Sequence, residues 1–272
     1  MLHRSLAWTL VVLTFASAGP LPDVKDYTLE LALTVPDNES GMKVAQWTED
    51  MNVNPEELGN YLEGDIMVTE STIRNGAKDP KLRWPNRIIP YVIQGNFNSA
   101  QMNLIREAIK DYEKYTCLRL KARTNEQDYV KITSDNTGCW SSIGRIGGAQ
   151  RINLQIPGCV TKKGTVIHEI MHAAGFWHEH TRYDRDDYVT INWKNIIQST
   201  ASNFVKLSPN VVEEYGIPYD YRSVMHYSAY AFAIDTKVKT IVTKNAKAVI
   251  GQRNGFSPSD YQRINKMYKC SA

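Results

Sequence analysis

After residue 18 this 272-residue chain has no apolar run of the ~20 residues needed to cross a bilayer, so no membrane span is expected. Cysteine is sparse. The four present, Cys117, Cys139, Cys159 and Cys270, are not spaced as metal ligands, and in an exported protein an even count implies two disulfides with three possible pairings. N-glycosylation sites are sparser still: Asn38-Glu39-Ser40 is the only sequon. Histidine is also scarce, with six residues, yet five of them are His168, His172, His178, His180 and His226. So rare a residue, so clustered, calls for a chemical reason.

The reason is in the stretch from Thr165 to Tyr188, TVIHEIMHAAGFWHEHTRYDRDDY. His168 and His172 are four residues apart, a little over one helical turn, so both imidazoles leave the same helix face and can share a zinc ion. Glu169 lies beside them as a candidate general base. Gly175 tolerates positive φ, so it can end the helix and turn the chain to bring His178 to the same metal. Three histidines leave a fourth position for water, the mark of a catalytic zinc site. A bare H-E-x-x-H arises by chance, and a lone histidine on an apolar face is usually just packed. The longer pattern H-E-x-x-H-x-x-G-x-x-H sets this stretch apart from that reading.

The segment HEIMHAAGFWHEHTRYDRDDYV resembles the active-site signature of the astacins, zinc endopeptidases within the metzincins. Downstream, Ser223-Val224-Met225-His226-Tyr227 is similar to the family's Met-turn. The resemblance runs from about Trp84 to Cys270. It implies an α+β fold with a two-lobed catalytic domain. The N-terminal lobe would hold a mixed sheet, a backing helix and the zinc helix; the irregular C-terminal lobe would hold the Met-turn and a last helix. It implies one zinc per subunit on His168, His172 and His178, Glu169 as base to the zinc-bound water, and Tyr227 as an oxyanion-stabilising phenol that swings off the metal. Met225 would pack beneath the metal without binding it, and His180 and His226 would be structural or outer partners. The same resemblance selects the disulfides Cys117–Cys270 and Cys139–Cys159. Vertebrate hatching enzymes typically carry two further cysteines near the mature N-terminus that are missing here, so the resemblance is taken at the level of the family.

Ahead of that domain the chain divides in two. Residues 1–18 read as a signal peptide, with Arg4, an apolar run from Leu6 to Phe15 and an Ala16-Ser17-Ala18 cleavage site. Residues 19–74 carry twelve acidic against three basic side chains, a net of −9, while residues 75–272 carry 17 against 28, a net of +11. Opposite charge suggests that the two segments attract each other, as an inhibitory prosegment over a basic domain would. Within it Leu62-Glu63-Gly64-Asp65 resembles the family's F-x-G-D switch, in which an aspartate, here Asp65, reaches the zinc; Leu62 stands where the family usually has Phe. Counting back from Trp84-Pro85-Asn86-Arg87 by the family's spacing places the mature start at Asn75, and Arg74 suits a trypsin-like activating protease. In the family the new amino terminus pairs through water with the glutamate after the third histidine, here Glu179.

Residues 75–272 suffice for one domain with a cleft. Ile88–Ile93 reads as a buried strand, Leu118–Ala122 and Tyr129–Thr133 as two more, and 100–115 as an amphipathic helix. Ala149–Ile156, entered through Gly147 and Gly148, resembles the edge strand against which an extended substrate lies. Asn195–Leu207 reads as a helix, Met225–Phe232 as an aromatic turn region, and Asp260–Tyr268 as a last helix capped by Ser257 and Pro258. The expected protein is a secreted, extracellular monomer that acts on proteins or peptides, with no nucleic-acid partner. The competing class, a secreted zinc-binding protein without turnover, would have no need of Glu169 beside three ligands.

Overall fold

Residues 33–70 and 78–270 are described by the structure, a computed structural model. The stretch read as a signal peptide, the cut expected between Arg74 and Asn75, and the last two residues lie outside the described residues.

Alternating and β-branched apolar residues build one five-stranded sheet from β1 (Ile88–Ile93), β2 (Arg119–Ala122), β3 (Tyr129–Thr133), β4 (Cys139–Ser141) and β5 (Ala149–Leu154). Its order is β2-β1-β3-β5-β4. The first four strands in that order run parallel, and β4 pairs antiparallel with β5. The strand expected at the edge, Ala149–Leu154, is therefore interior. The edge belongs to β4, too short to carry a periodic signal of its own.

Before the sheet lies α1 (Asn38–Ala45), started by Asp37, whose carboxylate accepts from the Ser40 backbone N–H. The helix α2 (Ser99–Tyr115) opens with a capping box between Asn98 and Gln101. Its Ile105, Ala108, Ile109 and Tyr112 recur at i, i+3, i+4 and i+7, and all four are buried in the main core. Truncating Ile105 to alanine there would cost roughly 2–5 kcal/mol.

Behind the sheet runs α3 (Lys163–Ala174), with every residue from Gly164 to Ala174 buried. Gly164 allows this, because a Cβ at that position would meet the Arg253 backbone at 2.2 Å. Gly175 ends the helix at φ 114°, a conformation that suits glycine. The last carbonyls of α3 find their partners at the two ends of the domain. The Trp84 indole donates to Ala173 O at 2.7 Å and the Tyr268 hydroxyl to Ala174 O at 2.9 Å.

The second lobe has little regular structure: an antiparallel ribbon of β6 (Val189–Ile191) and β7 (Ile241–Thr243), turns, and α4 (Pro258–Met267). It has its own cluster of Val189, Ile196, Phe204, Tyr219, Tyr227 and Ile241. Two lobes with a metal-type helix between them are the α+β architecture expected from the sequence. Three local readings change. The helix expected over Asn195–Leu207 is instead a pair of 3₁₀ segments, Trp193–Asn195 and Gln198–Phe204. The Ser, Thr and Asn side chains there compete for backbone bonds and disfavour a longer helix. The last helix begins at Pro258 on the expected Ser257 cap, two residues before Asp260, and Ala122, whose alternation with Lys121 and Arg123 predicts an inward side chain, is exposed. Both disulfides, Cys117–Cys270 and Cys139–Cys159, are formed. The first ties the end of α2 to the chain after α4, and the second ties β4 to the turn that leads into α3.

Candidate metal centre and active site

The one-turn spacing on α3 brings His168 and His172 together with Nε2 atoms 3.1 Å apart, and the turn at Gly175 brings His178 to 3.2 Å from His168. All three are buried. Their outer nitrogens are held: His168 Nδ1 at 2.8 Å by Val224 O, His172 Nδ1 at 2.8 Å by Phe176 O, and His178 Nδ1 at 2.7 Å by the Glu63 carboxylate. Carbonyl and carboxylate oxygens only accept, so each Nδ1 is the donor, and in the neutral rings each Nε2 presents a lone pair. Asp65 adds a fourth acceptor, 2.9 Å from His168 Nε2 and 3.3 Å from those of His172 and His178.

Four acceptors thus face one another within 4.8 Å, all buried. A single proton can satisfy one of these contacts; a divalent cation satisfies all four. The three histidines and the carboxylate therefore fit a metal, with the outer nitrogens oriented as metal ligation requires. Electrostatics reflect the crowding. Burial, reinforced by Arg253, draws His168 down to about 4. Burial opposes charge on His178 as well, but Asp65 and Glu63 outweigh it and lift that imidazole to about 9. Burial also acts to raise Asp65, yet His178 and His172 overcome it and hold the carboxyl well below its usual range.

Glu169, on the same helix, is fully buried, and neither of its carboxylate oxygens has a hydrogen-bond partner among the described residues. Burial, with the Asp65 charge added, pushes its carboxyl well above the ordinary range. Tyr227 lies beside the cluster, its ring 4.7 Å from that of His178 and stacked at 3.8 Å on His180. Its hydroxyl donates to the Glu63 carbonyl at 2.5 Å.

The turn that carries Met225 is held from α4. Asp260 accepts from Ser223 Oγ at 2.6 Å and from Val224 N at 2.9 Å, and Val224 in turn offers its carbonyl to His168. Met225 itself is buried in the main core, and its carbonyl accepts from Glu179 N. His180 and His226 stand outside the cluster. His180 donates to Asn203 O at 2.9 Å; His226 donates to Tyr227 O and accepts from the Tyr219 hydroxyl at 2.6 Å.

The acidic segment reaches the domain through buried contacts. Ile66 bridges Ser141 of β4 in parallel, with Met67 N to Ser141 O at 2.7 Å and Ser141 N to Asp65 O at 2.9 Å. Glu56 pairs with Arg253, Glu57 accepts from Ser228 N and Oγ at 2.6 Å, and the Asn203 side chain accepts from Glu63 N. The sequence points to attraction by overall charge and gives no sign of Glu63, Glu56 and Arg253, whose partners lie more than a hundred residues away.

Glu179 is buried and already paired. Arg263 Nη1 and Nη2 donate to it at 2.5 and 2.9 Å, and Asp220 N at 2.7 Å. Arg263 is a further residue that the sequence reading misses, although it shares the buried stripe of α4 with Asp260, Ile264 and Met267, a place where a charge needs a partner. Asn38 is exposed on the first turn of α1, whereas Ser40 of the same sequon is buried.

A two-lobed α+β domain with two histidines on a glycine-ended helix, a third just beyond the glycine, and a methionine turn bonded to the first of them is a metalloendopeptidase of the metzincin type. The comparisons agree. The model of the peptidase family described as Astacin matches residues 76–269. Zinc metalloproteinase nas-4 of Caenorhabditis elegans is 38% identical over 224 residues, 78% of this chain and 70% of that protein. The low choriolytic enzyme of Oryzias latipes is 40% identical over 225 residues, 80% and 81% of the two chains. Among solved structures, high choriolytic enzyme 1, a hatching-enzyme zinc protease from the same fish, superposes with TM-score 0.64 at 39% identity, covering 76% of this chain and all of that one. The chain belongs to the astacin family.

Proposed function

We propose that this chain is made for export as a latent zinc endopeptidase: residues 1–18 direct secretion, 19–74 inhibit, and 75–272 hydrolyse peptide bonds in protein substrates. The observation that carries the reading is Asp65, with carboxylate oxygens 2.9–3.3 Å from the Nε2 atoms of His168, His172 and His178. A catalytic metal keeps one coordination position free, and a fourth protein ligand takes it. Two disulfides support an oxidising, extracellular destination, and the exposed Asn38 suits a glycan on the prosegment.

Bound zinc supplies Lewis acidity and lowers the pKa of water towards ~7. Glu169 is the general base, since no other group claims its two oxygens. It takes a proton from the attacking water and returns it to the leaving amine. Tyr227 is the oxyanion donor, its phenol released to the substrate when the Glu63 carbonyl departs with the prosegment. Met225 packs beneath the site as a shaping residue.

A trypsin-like protease cutting after Arg74 frees the amino group of Asn75, which pairs through water with Glu179. In support, Glu179 lines a cavity of ≈ 40 Å³ together with Arg182, Glu214 and Arg263, space enough for ordered water. The enzyme acts as a monomer.

Casein cleavage tests the whole reading. The uncut protein should be silent, the trypsin-treated protein active, and the treated protein with a zinc chelator silent until zinc is returned. Equal activity before and after the cut would remove the prosegment from control, and turnover that survives full chelation would remove the metal.

A further inference from the structure

The three histidines are not held alike. The outer nitrogens of His168 and His172 donate to backbone carbonyls of the catalytic domain itself, Val224 and Phe176. That of His178 donates to a carboxylate, and the carboxylate belongs to the acidic segment: Glu63 Oε2 at 2.7 Å, both side chains buried. A carboxylate polarises an imidazole more than a carbonyl does, and outer partners of this kind set ligand basicity and orientation. We propose that Glu63 is a positioning residue of the metal centre, which makes His178 the strongest of the three donors in the uncut chain and is lost to it on maturation.

Further observations show that Glu63 is placed for this and is not an incidental neighbour. Its backbone is left-handed, at φ 47°, a conformation that costs a non-glycine residue of order 1 kcal/mol and needs support from its surroundings. That support is present at its backbone N–H, its carbonyl and one carboxylate oxygen. Its N–H donates to Asn203 Oδ1 at 3.0 Å, its carbonyl accepts from the Tyr227 hydroxyl at 2.5 Å, and its carboxylate meets His178. The strained turn through Glu63 and Gly64 then delivers Asp65 to the Nε2 side of the same cluster. The acidic segment thus grips the metal centre from both sides, with Asp65 on the inner nitrogens and Glu63 on an outer one. The consequence is that the uncut protein holds zinc more tightly than Asp65 alone would make it, and that cleavage loosens the metal as it opens the site.

This inference rests on the zinc reading above, and the test separates the two. Uncleaved protein, with Arg74→Gln to prevent activation, is loaded with zinc, and its release to a chromogenic chelator is timed for four forms: the parent, Glu63→Gln, Asp65→Ala and the double variant. Glutamine keeps the volume and an acceptor oxygen but removes the charge, and it is as strained at this φ as glutamate, so the fold is preserved. Glu63→Gln should release zinc about 10-fold faster, within the 10–100-fold range of outer-partner losses, and should do so equally in the Asp65→Ala background. Cobalt-loaded Glu63→Gln should also show a displaced visible spectrum, a change that loosened packing at saturating metal would not produce. If the effect vanishes in the Asp65→Ala background, Glu63 serves only to seat Asp65 and the proposal fails. If the parent holds one zinc but Glu63→Gln matches it in release and spectrum, the proposal fails while the zinc reading stands. A parent that binds no zinc overturns both.

Discussion

Tyr227 donates its phenolic proton to the backbone carbonyl of Glu63, 2.5 Å away, so the side chain proposed as the oxyanion donor is engaged by the chain's own acidic segment. The same phenol therefore has two measurable roles. In the cut enzyme, Tyr227→Phe should lower kcat and kcat/KM together by roughly 10²–10³ with KM little changed, as expected for a donor used in the transition state. In the uncut protein it should loosen the prosegment by about 1 kcal/mol, one buried hydrogen bond. Steady-state kinetics and urea melts of the two forms check both values. A rise in KM alone would make Tyr227 a substrate-binding residue.

Glu169→Gln should leave the metal in place, because the ligand atoms of His168, His172, His178 and Asp65 are untouched. Turnover should fall by roughly 10²–10⁴. Zinc content by atomic absorption, read beside kcat, checks this. Near-normal turnover in a zinc-loaded variant would take Glu169 out of the mechanism.

Asp65→Ala in uncut protein should raise activity on a short fluorogenic peptide, though not to the level of the cut enzyme. From charge alone, salt would be expected to release the residual block. The structure changes that expectation: Glu56 with Arg253, Glu57 with Ser228 and Glu63 with His178 are buried, and screening over about 10 Å at 0.1 M acts mainly on exposed charges. Progress curves at low and high ionic strength should coincide. A block released by salt would return the role to surface charge.

His226 predicts an acid limit to stability. Burial, reinforced by Arg253 and opposed by the bond to Tyr227 O, draws its imidazole down to about 4. Its Nε2 accepts from Tyr219, so the folded state needs the neutral ring. With the folded value below the unfolded ~6.5, the unfolded chain binds the extra proton. The stabilisation is complete above pH ~6.5 and is lost as the pH falls towards about 4, by roughly 3 kcal/mol. Urea midpoints of parent and His226→Gln, both in excess chelator so that metal loss cancels, should show the parent losing more between about pH 7 and about pH 4. Parallel curves would mean that His226 titrates normally.

How much of this was legible in the sequence follows from the range of each interaction. The His168–His172 pair, the stop at Gly175 and the α2 stripe are local consequences of helical period and backbone freedom, and they appear where the sequence places them. Sheet order is not local. Ile152 and Leu154 alternate in the same way whether their strand is edge or interior, and the true edge, Cys139–Ser141, is too short to show a pattern. His178, Arg253 and Arg263, the charged partners of Glu63, Glu56 and Glu179 named above, lie 115, 197 and 84 residues from them, and no local pattern joins such pairs.

The cap on α3 has a consequence for biosynthesis. The helix that carries His168 and His172 ends on carbonyls held by Trp84, made well before it, and by Tyr268, made 94 residues after Ala174. Asp260, which fixes the turn behind His168, also emerges late. On the ribosome the three imidazoles therefore exist well before Val224 and Asp260, which aim His168, and before Tyr268, which closes the end of its helix. The metal centre takes its final form only as the last residues of the domain leave the exit tunnel, while the acidic segment, translated first, is already present to receive it.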